Sequence, residues 1–297
     1  MPGRVLVSGA SGTVGTALLP ALKTAGYSVT RLVRGRPGNQ EIAWNPLEPV
    51  PPEVVSGFDA VVHLAGESIM GRWTAAKKQR ILESRRLGTQ NLARAAAKAS
   101  QRPRVFLSAS AIGYYGNRGD ELLQEESMPG SGFASEIARV WEAGTRPAVE
   151  AGIRTVSIRI GVVLSTAGGA LPQMLTPFRL GLGGNMGSGR QWFSWIHIQD
   201  LVGAILHILN NDSLNGPVNG VSPNPVTNAE FSKTLAAALK RPAIFPMPAF
   251  AARLAFGEMA DELLLASQRV EPAALVASGY QFQYPELRKA LQNLLAK

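Results

Sequence analysis

The sequence predicts an α/β fold in which a doubly wound parallel sheet is joined to a smaller, mainly helical C-terminal lobe. Two observations predict the sheet. Short apolar runs alternate with stretches of helical periodicity, and a glycine-rich turn joins the first run to the first helix. A third observation predicts the lobe, because the alternation stops after Leu164 and glycine and proline become frequent.

Each predicted strand is a short apolar run, and each predicted helix places apolar residues at helical spacing. Because parallel strands need long crossover connections, a helix between successive strands indicates a parallel sheet. The predicted strands are Arg4–Val7, Ser28–Val33, Ala60–Leu64, Val105–Ser108 and Arg154–Val163, and the predicted helices are Thr13–Ala25, Ala75–Ser100 and Ser131–Glu150.

The break after Leu164 divides the chain into two expected units. Residues 165–194 are rich in glycine, and the segment WIHIQDL with the helix that follows it then restores the regular pattern. We expect residues 1–164 plus 195–220 to form the sheet domain. Residues 165–194 plus 221–297 are expected to form the smaller lobe, which would bind the substrate.

The composition excludes several kinds of site. Cysteine is absent, which rules out disulfides, thiolate catalysis and Cys-ligated metal, and the three histidines are widely spaced, so we predict no metal site. Residues 1–4 lead directly into a strand, and no apolar stretch is long enough to span a bilayer. We therefore expect a cytoplasmic protein with no membrane partner.

The net charge of +9 comes mostly from scattered arginines. Aromatic residues do not interleave with the basic ones, so a base-stacking surface is not indicated and no nucleic-acid partner is predicted. An anionic small molecule would satisfy the same charge. The oligomeric state stays open. The one local concentration of basic residues is Arg72, Lys77, Lys78, Arg80, Arg85 and Arg86.

The turn GASGTVG, residues 9–15, lies between a predicted strand and a predicted helix. In that setting Gly9 permits a tight turn, Gly12 lets a pyrophosphate approach the backbone, and Gly15 allows close helix–sheet packing. The first N–H groups of the helix then face the phosphates. We predict a Rossmann-type dinucleotide site with contacts from Gly9, Ser11, Gly12, Thr13, Val14 and Gly15.

The end of the second predicted strand indicates which dinucleotide binds. NAD selection needs an Asp or Glu roughly 20 residues after the glycine turn, but this position is Arg34, in RLVRGR. A guanidinium can grip a 2′-phosphate through paired, charge-assisted hydrogen bonds, whereas a carboxylate would repel it. The predicted cofactor is therefore NADP(H).

Several motifs resemble the extended short-chain dehydrogenase/reductase superfamily. They are the Gly9-x-x-Gly12-x-x-Gly15 spacing, FDAVVHLAGES at 58–68, SRRLGTQNL at 84–92 and SWIHIQDL at 194–201. The resemblance implies that Leu64, Ala65, Gly66 and Glu67 run beside the adenine and ribose. It also implies that Arg85 contacts the cofactor, at a position where that superfamily usually has asparagine.

Longer stretches are similar to one branch of that superfamily, the proteins described as nucleoside-diphosphate-sugar epimerases with a small C-terminal domain of unknown function. These stretches cover nearly the whole chain and include LAGESI, SAIGYYG, RIGVVL, FRLGLGG, GSGRQWFSWIHIQDL and VNGVSPNPVTNAEF. The resemblance implies an NADP-binding fold and does not specify a reaction.

The superfamily's catalytic pair, Tyr-x-x-x-Lys, is absent from the chain. In that pair, lysine lowers the phenol pKa from its usual value of ~10, so that tyrosine transfers a proton near neutral pH. None of the five tyrosines has lysine four residues on, and Phe133 and Ile137 stand at the two expected positions.

Replacement chemistry would have to come from the segment SASAIGYYG, residues 108–116, which follows a predicted strand. We take Ser110 and Tyr114 as the candidate catalytic residues, with Tyr114 facing the cleft and Tyr115 packing away from it. Ser108 and Ala109 are expected nearest the reactive ring, and Arg159 is a further expected cofactor contact. Glu142 and His197 are interpreted as structural.

Two functions stay open at this point. One is an NADP-dependent oxidoreductase or epimerase acting on an unidentified small molecule, which could be linked to a nucleotide. The other is a non-catalytic NADP(H)-binding protein that senses redox state or scaffolds a partner. A large second lobe favours the enzyme, and the missing Tyr-x-x-x-Lys pair favours the sensor.

Overall fold

The computed structural model describes residues 3–296, so the expectations that concern Met1, Pro2 and Lys297 lie outside the described residues. The strands are β1 (Arg4–Ser8), β2 (Ser28–Val33), β3 (Glu41–Ala43), β4 (Ala60–His63), β5 (Val105–Ala111), β6 (Leu122–Leu123), β7 (Arg154–Ile160), β8 (Val162–Leu164), β9 (Trp192–Phe193), β10 (Trp195–His197), β11 (Gly216–Gly220), β12 (Val226–Thr227) and β13 (Arg269–Val270). The α-helices are α1 (Thr13–Thr24), α2 (Ala75–Lys98), α3 (Phe133–Ala143), α4 (Arg146–Glu150), α5 (Ala170–Arg179), α6 (Ile198–Asn210), α7 (Asn228–Leu239), α8 (Ala249–Phe256), α9 (Ala273–Ala277) and α10 (Leu287–Leu295). Short 3₁₀ segments cover Pro52–Val54 and Ile112–Tyr115, and a π-helical turn covers Ala260–Leu264.

Seven of the described strands form one parallel sheet in the order β11-β7-β5-β4-β1-β2-β3. The chain runs outward from β1 through β2 and β3, and then returns to the other side of β1 with β4. The strand order therefore reverses at β1. Open α/β sheets bind their ligands in a crevice at such a reversal, at the carboxyl ends of the strands. The predicted doubly wound α/β fold is confirmed.

Apolar residues cover both faces of the sheet, as expected for strands buried on two sides. Along β1, Val5 and Val7 point to one face, where they pack with Leu18 of α1 and with α6. Leu6 points to the other face and packs with Leu92 of α2. Together the two layers hold the strand ends, and hence the crevice, in fixed positions.

Three predicted elements differ from the structure by more than a shift of one or two residues at an end. Strand β5 continues to Ala111, because its last residues pair with β7 as far as Ile160. The single helix predicted over 131–150 is two helices, α3 and α4, separated at Gly144, where a Cβ would lie 2.9 Å from the Thr89 Cβ. The strand predicted over 154–163 breaks at Gly161, and β8 leaves the sheet to pair with β10.

The C-terminal part of the chain forms its own apolar cluster from α5, α7 and α10, including Leu175, Phe231 and Leu291. It also contacts the sheet domain directly, since β13 pairs in parallel with β6. The expected two-unit division stays a prediction. Within residues 3–296, none of the helices combines the length and the apolar character needed to cross a membrane.

Candidate active site at the carboxyl ends of the strands

The glycine turn between β1 and α1 is shaped by close backbone packing. Gly9 has φ +72°, a left-handed conformation, and a Cβ there would lie 2.6 Å from the carbonyl carbon of Leu64. A Cβ on Gly15 would collide with the carbonyl oxygen of Gly9. Both glycines are therefore required for the turn to lie between β4 and α1.

Gly12 differs from these two because little of the protein covers it. A Cβ there would have one neighbour within 4 Å, the Gly9 carbonyl oxygen at 3.3 Å. Gly12 and Ser11 are exposed, and Gly12 is the N-cap of α1 without a side-chain capping hydrogen bond. The first turn of α1, which includes Thr13 and Val14, contains no acidic residue. The open cradle above Gly12 and the uncapped helix start together fit a pyrophosphate.

Arg34 follows the last residue of β2 and is exposed. Its neighbour Arg31 is already paired, with its Nη2 2.6 Å from Glu41 Oε1. Arg34 itself makes no ion pair within residues 3–296. The side chain predicted to hold a 2′-phosphate is therefore free to do so, and its role in cofactor binding stays a prediction.

The segment after β4 lies against the glycine turn on one side and against α2 on the other. Leu64 donates its N–H to the Ser8 carbonyl, and Leu64, Ala65 and Glu67 are partly exposed beside the crevice. His63, at the end of β4, is buried between Ser8 and Thr89, with its ring nitrogens 2.7 Å and 3.0 Å from their hydroxyls. Burial lowers the His63 pKa to about 3, so this ring is neutral and structural.

Arg85 is buried rather than directed into open solvent. Its Nη1 donates to the carbonyl oxygens of Glu67, at 3.0 Å, and Ile81, at 3.3 Å, and its guanidinium lies 4.5 Å from the centre of the Trp141 ring. Burial lowers the Arg85 pKa to about 10, which still leaves it charged at neutral pH. A Cβ on Gly66 would lie 3.2 Å from this guanidinium. Arg85 thus fastens the segment after β4 to α2, and direct contact with a cofactor stays a prediction.

Both serines at the end of β5 are buried. The Ser108 hydroxyl donates to the Ala109 carbonyl at 3.1 Å, and the Ser110 hydroxyl donates to Glu142 Oε1 at 2.7 Å. Glu142, on α3, is held in turn by Arg159, whose Nε and Nη2 donate to the two carboxylate oxygens at 2.8 Å and 3.0 Å. The candidate Ser110 therefore has a fixed orientation with its proton directed to a carboxylate.

Arg159 connects this carboxylate to the two adjacent tyrosines. Its Nη1 donates to the Tyr115 hydroxyl at 3.0 Å and to the Glu125 carbonyl at 2.9 Å, and its guanidinium lies 3.5 Å from the centre of the Tyr114 ring. Tyr115 is fully buried and donates to Asn219 Oδ1 at 2.7 Å, and burial raises its pKa to about 12. Tyr115 is thus part of the buried network, and its packing away from the cleft stays a prediction. Tyr114 keeps partial exposure, and its facing the cleft stays a prediction.

The positions where the superfamily has its Tyr-x-x-x-Lys pair are occupied by packing residues. Phe133 and Ile137 are buried in an apolar cluster with Trp73, Ile81 and Met259, and the Phe133 ring meets Trp73 edge-on with centres 5.0 Å apart. No proton can be transferred from these side chains. An acid–base group would have to come from other residues.

Other polar residues around the site were not singled out as functional by the sequence. Glu142 and Asn219 are single polar residues whose partners are distant in sequence, so no local pattern marks them. His197 is buried and stacked on Tyr284, with ring centres 4.1 Å apart, in agreement with its structural interpretation. Within residues 3–296 no group of three or more His, Asp or Glu side chains could hold a metal ion.

Known proteins resemble this chain over its full length. The sequence model of the NAD dependent epimerase/dehydratase family matches residues 5–219, and a domain of unknown function, DUF1731, matches residues 247–294. Epimerase family protein Mb2239 of Mycobacterium bovis is 43% identical over 97% of this chain and 96% of its own length. Human epimerase family protein SDR39U1 is 42% identical over 99% of this chain and 100% of its own.

The fold comparison agrees with the sequence comparison. A crystal structure of human SDR39U1 (isoform 2) with NADPH superposes with a TM-score of 0.91 at 41% identity, covering 98% of each chain. The predicted resemblance to extended short-chain dehydrogenases/reductases, including the C-terminal domain of unknown function, is confirmed. The family model matches well over half of the chain, including the glycine turn, the end of β5 and the Arg159 network. The chain therefore belongs to the NAD dependent epimerase/dehydratase family.

Proposed function

We propose that this protein binds NADP(H) in the crevice at the carboxyl ends of β1, β2 and β4, and that it acts on a small molecule as an oxidoreductase or epimerase. The observation that carries the proposal is the open cradle above Gly12 at an uncapped helix start, with the unpaired Arg34 at the neighbouring strand end. The NADPH of the human relative supports the choice of cofactor.

In this proposal the residues of the crevice bind and orient the cofactor. The N–H groups at the start of α1 hold the pyrophosphate, and Arg34 holds the 2′-phosphate. Bound NADP(H) supplies a hydride acceptor or donor. Leu64, Ala65 and Glu67 border the crevice on the β4 side, and Arg85 keeps that border in place through the Glu67 carbonyl.

Proton transfer in this proposal falls to Ser110 and Tyr114. The Ser110 hydroxyl donates its proton to Glu142. Its oxygen can therefore still accept a hydrogen bond from a substrate hydroxyl. Tyr114 lies against the Arg159 guanidinium, a fixed positive charge at 3.5 Å from the ring centre. Ser110 lies near the end of β5, and Tyr114 lies in the 3₁₀ turn that follows the strand.

A second candidate function is a non-catalytic NADP(H)-binding protein. It is favoured by Phe133 and Ile137, which fill the usual catalytic positions with apolar packing, and by the burial of Ser110 at 2% exposure. In such a protein the end of β5 would line the cofactor without reacting. A change of partner affinity between NADPH and NADP⁺ would identify this function.

The test begins with fluorescence titration of the wild-type protein with NADPH and NADH, followed by a turnover screen of sugar nucleotides and small carbonyl compounds. Gly12→Val should weaken the binding of both cofactors at least ~100-fold, because the valine side chain fills the pyrophosphate cradle. Ala25→Val, at the exposed C-terminal end of the same helix, is the matched control. Retained binding by a natively melting Gly12→Val protein would overturn the proposed cofactor site.

A further inference from the structure

Four charged side chains converge where the β2 and β4 ends meet the start of α2, and we call them the Glu67 cluster: Arg34, Glu67, Lys77 and Arg80. Lys77 Nζ donates to Glu67 Oε1 at 3.0 Å, and Arg80 Nε lies 3.9 Å from the same oxygen. Arg34, at the end of β2, is near enough to stabilise the carboxylate through space. The carboxylate thus pairs with Lys77 and Arg80, and the charge of Arg34 acts on it from a greater distance.

The backbone of Glu67 is fixed by α2 on both sides. Its N–H donates to the Ser84 hydroxyl at 3.0 Å, and its carbonyl accepts from Arg85 at 3.0 Å. Helix α2 also supplies Lys77 and Arg80, from its first two turns. The carboxylate is therefore held at the crevice by the same helix that supplies two of the cations around it.

The two nearby carboxylates, Glu258 and Glu83, have other partners. Glu258 accepts a hydrogen bond from Lys78 at 2.7 Å, and Glu83 accepts one from Gln79 at 3.0 Å. The hydrogen bond from Lys77, together with the charges of Lys77, Arg80 and Arg34, keeps the Glu67 pKa below its ordinary value despite partial burial. Glu67 is thus ionised at neutral pH, and the cluster carries more positive than negative charge.

We propose that Lys77 and Arg80 form, together with Arg34, the site for the cofactor's 2′-phosphate, and that Glu67 is the counter-ion that this phosphate replaces. The inference rests on the proposed NADP(H) function. A phosphate monoester carries up to two negative charges and three acceptor oxygens, so it satisfies the three cations better than one carboxylate does. The Glu67 side chain is 32% exposed, which leaves it room to turn towards solvent.

The proposal and a purely structural role for the ion pair predict opposite changes in NADPH affinity when the Glu67 charge is removed. If the Lys77–Glu67 pair only fastens α2 to the segment after β4, loss of the carboxylate charge leaves cofactor affinity unchanged or reduces it. If Glu67 is a counter-ion at the phosphate site, loss of its charge removes a repulsion and frees the cations. NADPH, which has the 2′-phosphate, should then bind more tightly, and NADH should not.

The experiment is fluorescence titration of NADPH and NADH at low ionic strength. Glu67→Gln keeps a hydrogen-bond acceptor for Lys77 and should tighten NADPH binding about threefold to fivefold, the scale of a partly exposed charge pair, with NADH unchanged. Lys77→Met and Arg80→Met should each weaken NADPH binding about threefold to tenfold and spare NADH. Raising the salt concentration should shrink all three effects.

Glu83→Gln, on the same helix but outside the cluster, is the control and should change neither affinity. Weaker or unchanged NADPH binding by Glu67→Gln would overturn the inference, as would an equal change for NADH, and in both cases the proposed function would stand. A wild-type protein that binds neither dinucleotide would overturn the proposed function and this inference with it. Melting curves of each variant confirm that the fold is retained.

Discussion

The crevice has two sides that are built in opposite ways. On the glycine-turn side, formed by the ends of β1, β2 and β4, Gly12 is uncovered and Arg34 is exposed. On the β5 side, formed by the ends of β5 and β7 with α3, polar groups are buried and bonded to one another, from Ser110 through Glu142 to Arg159.

This difference separates groups held ready for a ligand from groups that maintain the fold. A polar group left exposed at a strand end is fully hydrated and can exchange water for a phosphate at little cost. A buried group with its hydrogen bonds made inside the protein gives up those bonds if it turns to a ligand. We therefore expect the cofactor on the glycine-turn side, whereas the buried network of the β5 side supports the candidate proton-transfer groups.

The largest expected effect is on the β5 side. Arg159→Met would leave Glu142 without its cation and would remove the donors to Tyr115 and to the Glu125 carbonyl. Breaking such a buried pair should lower the free energy of unfolding by about 3–5 kcal/mol, measured by urea denaturation.

The control for Arg159→Met is Arg146→Met, which breaks an exposed pair with Glu150 whose side chains are 79% and 59% exposed. Arg146→Met should lower the free energy of unfolding by at most about 0.5 kcal/mol. Equal losses for the two variants would show that the Arg159 network is not the rigid support described above.

The next effect concerns catalysis on the same side. On a substrate identified by the turnover screen, Ser110→Ala or Tyr114→Phe should cut the rate about 100-fold or more, the usual scale for a lost proton-transfer group, with NADPH affinity little changed. Tyr27→Phe is the control, because the Tyr27 hydroxyl bonds Asn210 away from the crevice. Full activity in both variants would show that other residues carry out the proton transfer.

The smallest effect is on the glycine-turn side. Arg34→Ala should weaken NADPH binding by about 1.5–3 kcal/mol, the value of a hydrogen bond to a charged group, and should leave NADH binding nearly unchanged. Arg31→Ala, which removes a side chain already paired with Glu41, serves as the comparison. A similar loss for both dinucleotides would mean that Arg34 does not contact the 2′-phosphate.

The two sides also differ in how well the sequence predicts them. The glycine turn and Arg34 are adjacent to predicted strands, so local spacing is enough to locate them. The β5 network joins residues far apart in the chain: Ser110 and Glu142 are 32 positions apart, and Tyr115 and Asn219 are 104 apart. Such pairs arise only when β5, α3 and β11 pack together, and no local pattern encodes that packing.

The element boundaries that the sequence missed have the same origin. Ser110 and Ala111 are weak strand formers, and they lie in β5 because β7 supplies hydrogen bonds to them. Gly144 ends α3 where the backbone approaches Thr89 of α2. In both places a contact with a distant element overrides the local preference. The glycine turn also packs against a distant residue, Leu64, but there the local glycine spacing already indicates the close approach.

Asp200 shows that the two family-matched segments are not separable pieces. Its carboxylate, within residues 5–219, accepts the backbone N–H groups of Gln283 and Tyr284, which lie within residues 247–294. Leu275 from the second segment is buried in the same apolar cluster as Val5 of β1. Removing the second segment would open the interior beside the first strand and strip a buried carboxylate of its donors. We therefore expect the two segments to unfold in a single cooperative transition, and a fragment that ends between them to lack part of the buried interior.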